Sequence, residues 1–83
     1  MKDSEAERQA KKQNEAEQRR KQRRAESVEQ RIHEIEAEIA DIQDLMMLPE
    51  NASDVSWMQE NSSKMASLEE EVTALYDEWM ELQ

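Results

Sequence analysis

The sequence predicts an all-α protein, a two-helix antiparallel coiled-coil hairpin with an extended basic N-terminal helix or linker. Two observations predict this fold. Apolar residues recur with heptad spacing in two stretches of the chain, and a segment that contains the only proline separates them. A third observation limits the size of the core: the chain has 83 residues, of which 36% are hydrophobic, and no phenylalanine. It can therefore form one domain with a thin core.

In the first heptad stretch the apolar positions are separated by alternating steps of three and four residues, which places them on one side of a helix. Its members are Ala25, Val28, Ile32, Ile35, Ile39, Ile42 and Met46. The second stretch follows the same rule, except that Asn61 occupies one position of the seam. Its apolar members are Met58, Met65, Leu68, Val72, Leu75, Trp79 and Leu82. We expect helices near residues 26–47 and 54–82.

The segment 48–54 is the predicted turn. Pro49 disfavours helical geometry at the preceding residue, Leu48. Ser53 or Asp54 can accept a hydrogen bond from the free N–H groups at the start of the second helix. Because the connection is short, the two helices are expected to run antiparallel.

An antiparallel alignment requires that the two residue numbers of every facing pair have the same sum. Six apolar pairs meet this condition, and each joins an a position to a d position. They are Ile42–Met65, Ile39–Leu68, Ile35–Val72, Ile32–Leu75, Val28–Trp79 and Ala25–Leu82. Charged residues on one flank fit the same alignment, and the expected pairs are Arg24 with Glu78, Arg31 with Glu71 and Glu78, and Glu38 with Lys64. On the other flank Glu36 is expected near Glu69, where the two carboxylates would repel.

Composition excludes several kinds of functional site. Without glycine the chain cannot form a Walker A loop or a dinucleotide-binding fingerprint, and without cysteine it has no thiolate nucleophile, disulfide or cysteine zinc site. His33, the only histidine, lies at a predicted exposed b position and cannot form a histidine metal cage alone. Carboxylates on an exposed two-helix rod also lack the burial that shifts pKa values for catalysis. We expect no catalytic residue, no metal and no cofactor in this fragment.

Charge is divided unequally along the chain. Residues 1–32 carry ten basic and seven acidic side chains, net +3, whereas residues 33–83 carry one lysine and fourteen acids, net −13. We expect a basic linker or helix extension at 1–24 and the hairpin at 25–83, because the second helix ends too early to cover the first segment. The candidate nucleic-acid-binding residues are Lys11, Lys12, Arg19, Arg20, Lys21, Arg23, Arg24 and Arg31. No aromatic residue lies among them to stack on bases, so low sequence specificity is expected.

Parts of the sequence resemble the C-terminal coiled-coil domain of bacterial ABC-F ATPases, of the Uup-like branch. The resemblance covers roughly residues 15–83. It is carried by RIHEIEAEIA at 31–40, by Pro49-Glu50 in the turn, and by the segment from Leu68 to Leu82 with its Leu-Tyr-Asp-Glu-Trp motif. The turn lacks the aspartate before proline, and the aromatic residue shortly after it, that are usual in the family.

The resemblance implies a parent protein with two ABC ATPase domains upstream, which would bind ATP and magnesium, and without a transmembrane part. Family members act on ribosomes and translation, and in the Uup-like branch the hairpin resembles a DNA-binding element. The resemblance therefore implies a non-catalytic domain that contacts DNA or ribosomal RNA through its basic N-terminal segment.

A purely structural or oligomerising coiled coil without nucleic-acid binding is the alternative, in which the seam would pair between chains. Pro49 and the cap of the second helix favour the hairpin, so we expect a monomer in isolation. The sequence shows no apolar run of the length found in signal peptides or membrane spans. We therefore expect a cytoplasmic location and no membrane partner.

Overall fold

The computed structural model describes residues 4–83, which form three α-helices and, within this range, no strand. α1 spans Glu5–Met46, α2 spans Pro49–Ala52 and α3 spans Val55–Leu82. α1 and α3 pack against each other as an antiparallel hairpin, and the chain is a rod of 77 × 15 × 14 Å. The all-α hairpin that the sequence predicts is confirmed. The first three residues of the predicted basic segment lie outside the described residues.

α1 begins long before the seam does. The Oγ of Ser4 accepts a hydrogen bond from the backbone N–H of Glu7 at 3.1 Å, and Glu5 and Glu7 place negative charge beside the positive end of the helix dipole. No glycine or proline interrupts the 42 residues that follow this cap. The sequence left the segment before residue 25 as either a helix or a disordered linker, and the structure makes it a continuous helix.

The predicted turn contains a short helix that the sequence analysis did not anticipate. Leu48 has the extended backbone conformation expected before proline, with φ −71° and ψ 131°. Pro49 then occupies the first position of α2, where a helix needs no N–H donor. The proline therefore ends one helix and starts a single turn of another.

Asp54 is the residue that caps α3. Its Oδ1 accepts a hydrogen bond from the N–H of Trp57 at 3.0 Å. Ser53, the other predicted candidate, instead donates its hydroxyl to the carbonyl of Pro49 at 2.9 Å. Each of the two residues thus satisfies a different backbone group of the corner.

The predicted seam is the core of the protein. Its most buried members, which are almost inaccessible to solvent, are Val28, Ile32, Ile35, Ile42 and Leu68. The other predicted seam residues are half-buried, namely Ala25, Ile39, Met46, Met58, Asn61, Met65, Val72, Leu75, Trp79 and Leu82. Ile35, Ile42 and Leu68 form one cluster, and Ile39 and Val72 are among the residues packed against it. The heptad pattern therefore identified the core in both helices.

Two seam residues, Asn61 and Trp79, carry a polar group, and only that of Asn61 forms a hydrogen bond within residues 4–83. Asn61 donates its side-chain amide to the carbonyl of Trp57 at 2.9 Å, so its polar group is satisfied within its own helix. The indole N–H of Trp79 is buried and has no hydrogen-bond partner among the described residues. Trp79 therefore contributes to the seam as an apolar ring.

Contacts beside the seam fix the alignment. Arg24 pairs with Glu78 and Arg31 pairs with Glu71, so one heptad forward on α1 corresponds to one heptad backward on α3. The residue numbers of both pairs therefore have the same sum, as the predicted antiparallel alignment requires.

On the second flank Glu36 has a partner that the spacing of charges does not predict. The hydroxyl of Tyr76 donates to the carboxylate of Glu36 at 2.7 Å, and this hydrogen bond raises the pKa of Tyr76. The neighbour of Glu36 across the seam is thus a hydrogen-bond donor, the hydroxyl of Tyr76. The predicted ion pair between Glu38 and Lys64 is not formed in the structure, which describes both residues.

Truncation of Ile35 tests whether the seam supplies the stability of the hairpin. Ile35 is 0% exposed, so Ile35→Ala should destabilise the protein by about 2–5 kcal/mol, through lost apolar burial and a cavity. Met80→Ala is the control, because Met80 is 67% exposed and should change stability by less than about 0.5 kcal/mol. Urea denaturation followed by circular dichroism measures both, and equal effects would contradict a packed seam.

The pair between Arg24 and Glu78 predicts a dependence of stability on pH. Hydrogen bonds from Arg24 hold the pKa of Glu78 below its ordinary value of 4.5. A carboxylate with a lowered folded-state pKa stabilises the fold above its unfolded-state pKa, and this contribution is lost as the pH falls through the lowered value. Glu78→Gln should therefore destabilise the hairpin at pH 7, and its effect should be smaller at pH 3, which is below the ordinary pKa of a glutamate. Urea midpoints at the two pH values, with Glu81→Gln as the control, check this, and a pH-independent effect of Glu78→Gln would refute it.

Candidate nucleic-acid interface

All eight candidate nucleic-acid-binding residues lie on α1, and seven of them lie in its first half. We call residues 5–24 of α1 the basic arm. Every side chain in this arm is exposed except the half-buried Ala16. The arm is therefore a single helix that is open to solvent around its whole circumference.

The arm continues beyond the end of its partner helix. α3 ends at Leu82, which the alignment pairs with Ala25, so no part of α3 is left to cover the residues before Ala25. At a rise of about 1.5 Å per residue the arm extends roughly 30 Å beyond the paired region. A long ligand can lie along this helix without meeting α3.

The arm carries eight basic and four acidic side chains, net +4, whereas residues 25–83 carry two basic and sixteen acidic side chains, net −14. Within 18–25 there are five basic residues and no acid. Because successive residues of a helix point about 100° apart, the five basic side chains of this run spread positive charge over about 200° of the helix circumference. Two residues nearer the N-terminus, Arg8 and Lys12, lie on the same face of the helix as Arg19 and Arg23. Positive charge is thus concentrated where the arm meets the hairpin.

The structure joins two of the candidate residues to α3. Arg24 donates two hydrogen bonds to Glu78, one of them from Nη2 to Oε1 at 2.9 Å, and these bonds raise its pKa. Arg31 donates to Glu71 from Nε at 3.0 Å and from Nη2 at 3.3 Å, which likewise raises its pKa. Such two-point contacts hold an arginine in a fixed orientation. Arg24 and Arg31 therefore already have a role in holding the hairpin together.

The other six candidate residues form no ion pair with any of residues 4–83. They are Lys11, Lys12, Arg19, Arg20, Lys21 and Arg23. Pairs four residues apart, such as Glu15 with Arg19 and Glu17 with Lys21, have the spacing of helix-surface ion pairs but are not formed. The charged heads of these six side chains are consequently available to an anionic partner.

The chemistry available on the arm is limited to charge and hydrogen-bond donation. The aromatic residues of the chain are Trp57, Tyr76 and Trp79, all on α3, so the arm has no ring on which a base could stack. Lysine and arginine heads contact phosphates, which carry no base sequence. The chemistry of this arrangement is that of contacts to a polyanion with little sequence preference.

The rest of the described chain has no cluster suited to a metal ion, since no three acidic or histidine side chains in residues 4–83 are placed to hold one. None of the helices in this range has an apolar stretch long enough to cross a membrane. His33 is exposed, as its b position predicts, and borders a shallow recess of about 200 Å³ together with Tyr76 and Trp79.

Comparison with known proteins gives one match. The chain matches no curated protein and no solved structure. The family model described as the ABC transporter C-terminal domain matches residues 12–83, which include part of the basic arm and the whole hairpin. The match agrees with the resemblance carried by the seam, the proline turn and the last heptads of α3. The chain therefore belongs to the ABC transporter C-terminal domain family.

Proposed function

We propose that this chain is the non-catalytic coiled-coil C-terminal domain of an ABC-F type ATPase and contacts DNA or ribosomal RNA through its basic arm. The observation that carries the proposal is the set of six exposed and unpaired basic residues on a helix that α3 does not cover. Family membership supports a parent with ABC ATPase domains, where ATP and magnesium would bind.

The charge of the hairpin determines the orientation of the complex. Residues 25–83, at net −14, repel a polyanion, whereas the arm, at net +4, attracts one. The nucleic acid therefore lies along the arm, and the hairpin is held away from the phosphates. Such binding is weak, with dissociation constants of about 10⁻⁴–10⁻⁶ M at physiological salt for nonspecific complexes.

Arg24 and Arg31 have a different place in this proposal from the other six residues. Their guanidinium groups bind Glu78 and Glu71, so a phosphate would have to compete with a carboxylate that is already in place. We assign them to positioning the arm on the hairpin, with phosphate contact made by the six unpaired residues. A variant that tests phosphate contact should therefore leave Arg24 intact.

Removal of charge from the arm should abolish binding without loss of structure. In the variant Arg19→Gln/Arg20→Gln/Lys21→Gln/Arg23→Gln, the fluorescence anisotropy of a labelled DNA duplex or RNA hairpin should no longer rise at low salt, while the helical circular dichroism signal stays unchanged. Binding by the unaltered chain should fall with salt, with a log–log slope between about −3.5 and −5.5 for roughly four to six phosphate contacts on duplex DNA.

A matched pair of single variants separates position from net charge. Arg20→Gln and Lys64→Gln each remove one positive charge, but only Arg20 lies on the arm. We expect Arg20→Gln to weaken binding and to reduce the steepness of the salt slope by about 0.9, and Lys64→Gln to change neither. Equal effects, or no binding by the unaltered chain at low salt, would favour the purely structural coiled coil.

The identity of the parent has its own test. The coding sequence upstream of this chain is expected to encode two ABC ATPase domains with Walker A motifs and no membrane-spanning segment. A membrane-spanning domain there would refute the assignment to the ABC-F type, and the binding experiment would still report on the arm.

A further inference from the structure

The corner between α1 and α3 exposes large apolar side chains that the hairpin does not use. Of the six such side chains that are exposed in residues 4–83, four lie in the segment 45–55. They are Leu45, Met47, Leu48 and Val55. Met47 is 81% exposed and Val55 is 69% exposed. Single exposed apolar residues are common on protein surfaces, but a concentration within one corner marks an interaction site.

The corner is held in one conformation by its own hydrogen bonds. The side-chain amide of Asn51 donates to the carbonyl of Leu45 at 2.9 Å, which ties α2 to the end of α1. The N–H groups of Asn51 and Ala52 both donate to the carbonyl of Leu48, and Asp54 caps α3. The exposed apolar side chains thus project from a rigid support. A preorganised surface loses little conformational entropy when it binds a partner.

Charge around the corner selects the kind of partner. From residue 34 to residue 63 the chain has eight acidic side chains and no lysine, arginine or histidine. Five of these acids are close to the corner in sequence, at 41, 44, 50, 54 and 60, and none of the five forms an ion pair in the structure. The complement of this surface is apolar at its centre and positively charged at its border.

We infer that the corner is a docking surface for a protein that presents an apolar surface bordered by lysine and arginine residues, such as one face of an amphipathic basic helix. Nucleic acids and anionic lipid surfaces are disfavoured, because the acids repel both. A second copy of this chain fits poorly, since two corners would bring like charges together. The basic arm of a second copy has no apolar side chain larger than alanine to receive the corner.

This surface is separate from the proposed nucleic-acid interface. Along α1 the distance from Arg24 to Leu45 is roughly 30 Å, at about 1.5 Å per residue. The inference goes beyond the proposed function, because an acidic corner and a basic arm attract different partners at opposite ends of the hairpin.

The experiment uses an amphipathic helical peptide of leucine and lysine as the probe, added to the ¹⁵N-labelled 83-residue chain. We expect the amide signals of residues 45–57 to shift in a saturable way. Two control peptides, one with serine in place of leucine and one with glutamate in place of lysine, should leave these signals unmoved. The first control removes the apolar contact, and the second removes the charge complementarity.

Two variants of the chain form the matched test. Met47→Ser and Met80→Ser make the same chemical change at two exposed methionines, of which only Met47 lies in the corner. Met47→Ser should weaken binding of the leucine–lysine peptide, whereas Met80→Ser should leave it unchanged; Met47→Ser combined with Val55→Ser should weaken binding roughly tenfold. Neither methionine belongs to the seam, so both single variants should retain the fold, which circular dichroism checks.

Several results would overturn the inference. One is a shift of signals along residues 69–81 in place of the corner, which would mean that the peptide follows acidic charge alone. Another is unchanged affinity in Met47→Ser/Val55→Ser. Concentration-dependent shifts at the corner without peptide would identify a second copy as the occupant, and shifts with vesicles of zwitterionic phosphatidylcholine would identify a lipid surface.

Discussion

The seam between α1 and α3 is the contact on which the rest of the structure depends. Each helix has one apolar side, and most of the stability of a helix in a protein comes from packing such a side against a neighbour. Packing of Ile35 and Ile42 against Leu68 joins the two sides, and the short corner together with the charged pairs beside the seam determines how the two helices align. That alignment brings Arg24 to Glu78, ends the paired region near Ala25 and directs the corner away from the arm.

Sequence spacing predicted the seam because burial in a coiled coil follows the positions of apolar residues in the heptad. It did not predict α2, because the break before Pro49 says nothing about the single helical turn that follows it. The cap of α1 lies outside the seam, and the sequence also carries its signal, since Ser4 and Glu7 have the Ser-x-x-Glu spacing of a capping box. The Glu38–Lys64 pair shows a different limit: spacing brings two surface charges near each other but does not decide whether they make contact.

The candidate interface shows why charge in the sequence overstates what an arginine can offer to a ligand. Arg24 and Arg31 were identified both as partners of α3 and as phosphate-binding residues. In the fold their guanidinium groups are occupied by Glu78 and Glu71, while Arg19, five residues before Arg24, has no carboxylate partner among residues 4–83. The two groups of arginines differ because α3 lies beside Arg24 and Arg31 but not beside Arg19. Predicting which arginines are paired therefore requires the alignment of both helices, and the composition of α1 alone is not sufficient.

The uninterrupted course of α1 has a mechanical consequence. A helix of 42 residues without glycine or proline has no hinge at which it would bend sharply. The hairpin includes the second half of that helix, so a rotation imposed at the N-terminal end of α1 displaces the corner by an amount that grows with the distance between them. The domain therefore has the geometry of a lever, in which a small change of angle near Ser4 would give a large displacement at Met47.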